Sequence, residues 1–270
     1  MISRYLTIST AILSIISFVF INESTAQTRL GILEIPTGGS YQMPEDTLIV
    51  DELILRDSAT LLLHIKSVGS FIQAKRISIG SGCTINGKGI TGAQGQNGKN
   101  ALPVSGVCKD GLKGGNADPG MNGDGGKNLS ISTGELIIAD AFHIYLNGGN
   151  GGDGGKGGNG SGGSKSSAHC KSNGGDGGVG GNGGMGGNGG ALELNYVSGI
   201  AQADLLAKAL LHNLGGYHGI GGDGGRGGLR GNGASEQFSK NGEKGKNGKD
   251  GAVGKEGKAL FYSVHRANDK

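Results

Sequence analysis

The sequence predicts a mainly β chain combined with polyglycine-II: a short β-solenoid-like N-terminal layer, a six-arm polyglycine-II helix bundle, and one amphipathic helix. Three observations carry this. Glycine accounts for 61 of 270 residues, with only four prolines and no tryptophan. That composition starves a conventional core of large side chains and lacks the proline of collagen. Within residues 148–190 the glycines hold a phase of three: Gly148, Gly151, Gly154 and Gly157 on one side of the interruption, Gly177, Gly180, Gly183 and Gly186 on the other. Short Val/Ile/Leu runs recur before and between the glycine stretches, as β-strands do.

Residues 1–26 read as a secretory signal peptide. Arg4 supplies the positive start, residues 8–21 the apolar run, and Ser24-Thr25-Ala26 the small-residue cleavage site. The expected location is secreted or cell-surface, and periplasmic or on the outer-membrane exterior if the cell is Gram-negative. No later segment is apolar enough to cross a bilayer.

Residues 27–86 form the predicted β-rich, solenoid-like segment, with runs at 48–50, 53–55, 61–65, 71–72, 77–79 and 84–85. Residues 87–258 then repeat one unit three times: a glycine arm, an interrupting tip, a returning glycine arm, and a short strand. The tips fall at 101–110, 164–173 and 234–241. Residues 200–214 place Ala203, Leu206, Ala207, Leu210 and Leu214 on one face and predict an amphipathic helix, with Ser198 as cap and Gly215 as stop. A terminal strand and tail occupy 259–270.

A helix with three residues per turn and about 3.1 Å rise puts every third residue on one edge. Glycine on that edge lets a neighbouring chain approach until backbone amides and carbonyls bond across the gap. The doubled glycines of the middle unit therefore predict an interior position, and the single-glycine arms at either end predict flanks. Disorder is the competing reading, because ordering each residue costs about 1–2 kcal/mol. Regular phasing favours order.

Of the three cysteines, Cys108 and Cys170 lie in tips and are the natural disulfide pair, while Cys83 sits in a strand-like run as a small buried residue. The candidate recognition residues are Val104, Lys109, Lys165, His169, Lys171, Gln237 and Phe238, because loops on a rigid scaffold carry function. Nothing in the chain reads as a catalytic constellation, so the protein is expected not to be an enzyme and to need no cofactor or metal. Gly148 to Asp153 spells GGNGGD and matches the start of a calcium-binding nonapeptide, but the three-residue period explains the same letters. His169 beside Cys170 is a weak metal pair, and Asp124, Asp153, Asp176 and Asp223 are exposed carboxylates in the first instance. Net charge is +3 without a basic patch interleaved with aromatics, which argues against nucleic acid. Residues 240–270 resemble a collagen triplet run with lysine and glutamate between the glycines.

The phased arms and cysteine-bearing tips resemble, in architecture, the polyglycine-II bundles of snow flea antifreeze proteins and the glycine-rich tip adhesins of tailed phages. The first resemblance implies ice binding and the second implies recognition through the tips. The sequence thus points first to a secreted or surface adhesion protein, with a cell-surface glycan or protein receptor as partner. Its alternatives are an ice-binding or matrix structural protein, and a disordered or collagen-like extracellular polymer. Oligomeric state is open.

Overall fold

A computed structural model describes residues 30–234 and 236–263. The predicted signal peptide and the end of the C-terminal tail lie outside them. Among the described residues the architecture is mostly sheet: two parallel sheets, one of six strands and one of five, with one α-helix. The six-stranded sheet runs β1 (Leu30–Ile35), β3 (Thr47–Leu55), β5 (Gly69–Ile79), β7 (Asn128–Ile138), β9 (Leu192–Gly199) and β11 (Ala259–Ser263). The five-stranded sheet runs β2 (Ser40–Gln42), β4 (Thr60–Leu62), β6 (Thr84–Asn86), β8 (Phe142–Tyr145) and β10 (Ala209–His212). The chain alternates between them, giving one strand to each sheet per turn.

This corrects the predicted fold class and, with it, the polyglycine-II and collagen-like readings. The body of the molecule is the pair of parallel sheets, built from strands drawn from the whole described chain rather than from an N-terminal layer alone. Its core is apolar: in-register stacks such as Leu48, Ile72, Ile131 and Leu194 in the larger sheet and Leu61, Ile85 and Ile144 in the smaller belong to one buried cluster. Parallel neighbours of like shape repeat the same contact at every layer, so few large side chains suffice. Period-three glycine predicts the glycine segments as the scaffold. In the structure they are long excursions between a strand of the smaller sheet and the next strand of the larger one. The last arm's amide and carbonyl groups bond to arms of its own chain, whereas a collagen triplet run winds three separate chains together.

The helix is also corrected. α1 spans only Gln202–Lys208, and residues 209–212 pair in parallel with β8. The apolar run 209–211 is drawn to the open edge of the smaller sheet, which outweighs its helical spacing. Ala201, not Ser198, sits at the cap; the Ser198 hydroxyl bonds to the Gly134 carbonyl instead. Leu205 is the buried residue of the helix. β1, β2 and β10 have no counterpart among the predicted strands.

Candidate functional site: the arm tips

The site is built from the strands outward. Three excursions leave the smaller sheet and return to the larger: 87–127 between β6 and β7, 147–191 between β8 and β9, and 213–258 between β10 and β11. Each has an outgoing and a returning arm. The arms keep the register of the strands they continue. β6 and β8 are offset by 59 residues, and Lys156 N–H donates to Asn97 Oδ1 at the same offset. β7 and β9 are offset by 63, as are Val179 and Asn116. β9 and β11 are offset by 67, as are Lys249 and Asn182. Strand pairing thus sets the position of every residue along the arms.

Between arms, backbone amides donate to backbone carbonyls. Gly152 N–H reaches Met121 O, Gly184 N–H reaches Gly152 O and Gly219 N–H reaches Gly184 O, each at 2.8 Å. The two glycine rows of the middle excursion face different neighbours. A Cβ on Gly148, Gly151, Gly154 or Gly157 would fall on carbonyls of the returning arm beside it; one on Gly177, Gly180, Gly183 or Gly186 would fall on carbonyls of the third outgoing arm. The alternate row, Gly149 to Gly158, faces the first outgoing arm in the same way. These glycines are where chains touch, so the doubled-glycine arms have neighbours on both sides. The residues between the glycines also act. Asn116, Asn122, Asn150, Asn159, Asn182 and Asn188 each accept a backbone N–H from the next arm in the layer through Oδ1. Asp153 and Asp176 do the same toward Ile220 and Glu243. This role was not read from the sequence, although asparagine recurring beside the glycines was its signal. It also replaces the calcium reading of Asp153.

At the far end the arms bring all three tips together. Cys108 and Cys170 form a disulfide with Cα atoms 5.6 Å apart, and Cys108 N–H donates to Lys165 O at 2.7 Å. The link fits ordinary disulfide geometry at the backbone. It consumes the Cys170 thiol and removes the His169–Cys170 metal pair. Ser166 N–H donates to Asn232 O, joining the second tip to the third excursion. Serines occupy the places where the glycine rows give out. Ser164 Oγ accepts Lys109 N–H, Ser172 Oγ donates to Lys109 O at 2.6 Å, and Ser172 N–H donates to Ser239 Oγ. Buried Ser164, Ser172 and Ser239 are the floor of the tip surface, and sequence reasoning passed over them.

The predicted recognition residues stand on that floor. Lys109, Lys165, His169, Lys171, Gln237 and Phe238 are exposed, and Val104 is half-buried. Leu102, Val107 and Phe238 expose 74%, 56% and 58% of their surface, so the end face mixes apolar and basic groups. Cys83 lies far from it in the chain fold, buried with its thiol against the Arg56 carbonyl, and burial raises its pKa.

A second cluster sits on the smaller sheet. His143, Tyr145 and His212 stack, with Tyr145 and His212 centroids 4.5 Å apart and Lys88 Nζ 4.2 Å from the Tyr145 ring. His143 Nδ1 lies 3.3 Å from His212 Nε2. Partial burial, followed by the charges of His143 and Lys88, holds His212 below the usual histidine pKa. The rings fill one another's faces, which makes this a packing ladder across β8 and β10. Among the described residues no group of three or more His, Cys, Asp or Glu side chains could hold a metal ion, and no helix is long and apolar enough to cross a membrane.

No family model, no curated protein and no solved structure matches this chain.

Proposed function

We propose that the protein is an exported, non-enzymatic recognition protein that displays its three tips at one end of a rigid sheet-and-arm scaffold. The observation that carries this reading is the convergence of the tips: three loops separated by dozens of residues share one end face, the first two cross-linked by Cys108–Cys170 and the third bonded to the second. Buried serines hold the loop backbones, while lysines and apolar side chains are left facing solvent. Such a face supports contact with a partner better than it supports bond-making chemistry, and loops on a rigid scaffold are where recognition residues usually lie. A cell-surface glycan or protein receptor is the class of partner proposed.

The test is a chain with the disulfide intact and Val104, Lys109, Lys165, His169, Lys171, Gln237 and Phe238 changed to serine. Parent and variant are compared for retention on a panel of immobilised glycans and on whole cells. Retention by the parent that is lost in the variant supports the reading. Equal retention by both overturns it.

A further inference from the structure

We propose that the outer edge of the last arm, with the groove it leads into, is a docking strip for a linear acidic polysaccharide. This is a site separate from the tips and does not depend on their role. In residues 240–258 every third residue presents the same edge, its backbone carbonyl facing the neighbouring arm and its side chain exposed. The carbonyls of Lys240, Glu243, Lys246, Lys249, Ala252, Lys255 and Lys258 all accept amides from residues 174–192. That edge carries five lysines and one glutamate. The adjacent edge, at positions 241, 244, 247, 250, 253 and 256, carries Lys244 against Asp250 and Glu256. The fold therefore sorts a mixed-charge segment into a basic row and a slightly acidic one, which a linear reading of its composition does not reveal.

The lysines of the row are exposed, and among the described residues none is in an ion pair. An extended chain advances about 10 Å per three residues, so the row is straight but interrupted: its ammonium groups are about 20 Å apart across Glu243 and Ala252 and stand on a step of about 10 Å at 246–249 and 255–258. Its rigidity comes from the amide bonds to the neighbouring arms, so little backbone entropy is lost on binding. At about 0.1 M salt the Debye length matches that step, so a polyanion must meet the lysines one by one to gain from them.

The row ends at Lys258, on the rim of a groove of about 440 Å³ on the larger sheet. Strand register sets Thr47, Phe71, Ser130, Glu193 and Leu260 in one line across its floor. Hydroxyls, a carboxylate and an exposed aromatic ring suit a sugar, whose hydroxyls donate to Glu193 while its apolar face covers Phe71. A nucleic acid fits less well. The lysine row has no aromatic platform on which successive bases could stack.

The experiment uses the full chain in low salt, with polygalacturonate as acidic probe, dextran as neutral control and a single-stranded oligonucleotide as competing polyanion. Polygalacturonate binding should weaken as salt rises. Changing Lys246, Lys249 and Lys255 together to Gln should weaken it about tenfold or more and flatten the dependence of log affinity on log salt by about two to three. Lys244→Gln, on the other edge, should change it less than about twofold. The tip-substituted chain should keep this binding, so failure here is distinct from failure of the tip reading. The proposal is overturned if the triple variant binds like the parent, if dextran binds equally, if the oligonucleotide binds more tightly, or if tip substitution alone abolishes binding.

Discussion

Glycine and asparagine divide the work within the arms, and each makes a different kind of contact. A Cβ added at Gly177 would fall on the Gly225 carbonyl and one at Gly183 on the Gly219 carbonyl, both fixed backbone. No side-chain rotation relieves such a clash, so even Gly177→Ala is expected to destabilise by about 3 kcal/mol or more. Asn182 is a subtler case. From the sequence its side chain is a solvated spacer, and Asn182→Ala is expected to be silent. In the structure its Oδ1 accepts Lys249 N–H at 2.9 Å, so the change should cost about 0.5–1.5 kcal/mol. Thermal melts of the two variants beside the parent check both numbers. A silent Gly177→Ala would mean that the arms do not approach as described.

The arms are ordered because the strands beneath them hold their register, and this is the part of the fold least visible in the chain. Period-three glycine was legible, as were the apolar runs of β3, β5, β7 and β9 and the pairing of Cys108 with Cys170. What was not legible is that the runs of β5, β7 and β9 each pair in parallel with the run one excursion later, across 59, 63 or 67 residues. Local spacing carries no record of such partners, so the glycine segments took the place of the scaffold. The same blindness turned residues 209–212 into helix, since their strand pairing with β8 lies in a distant segment. Register makes a testable demand. Removing Asn150 alone would shift Asp153, Lys156 and Asn159 onto the glycine row facing the first arm, where Gly152, Gly155 and Gly158 now fit. Removing residues 153–155 together with 180–182 would shorten both middle arms by one step and keep every glycine in phase. The single deletion is expected to abolish a cooperative melt. The paired deletion should retain it while drawing the second tip back by about 10 Å, out of reach of Cys108. Calorimetry with thiol counting separates the two; equal melts would sink the register argument.

Taken as one object, the molecule is held by different forces at its two ends. Near the sheets, an apolar core fixes where each arm begins. Near the tips that core is absent, and order rests on amide bonds, buried serines and one covalent link across 62 residues of chain. Net stabilisation per hydrogen bond is only about 0.5–1.5 kcal/mol, against about 1–2 kcal/mol to order each residue. The far end is therefore where stability is thinnest and where a cross-link contributes most. Replacing Cys108 and Cys170 with serine should lower stability by about 2–5 kcal/mol. Cleavage by a protease should then concentrate in residues 101–110, 164–173 and 234–241 while the sheets persist, because the loss acts on the end that the core does not support. Thiol chemistry gives an independent reading on the same protein. The native parent should show no reactive thiol, since Cys83 is buried, and the denatured but unreduced parent should show one. Two further thiols in the denatured parent would mean that the link does not form. Loss of the sheets together with the tips in the serine variant would mean that the disulfide, rather than the apolar core, holds the whole molecule.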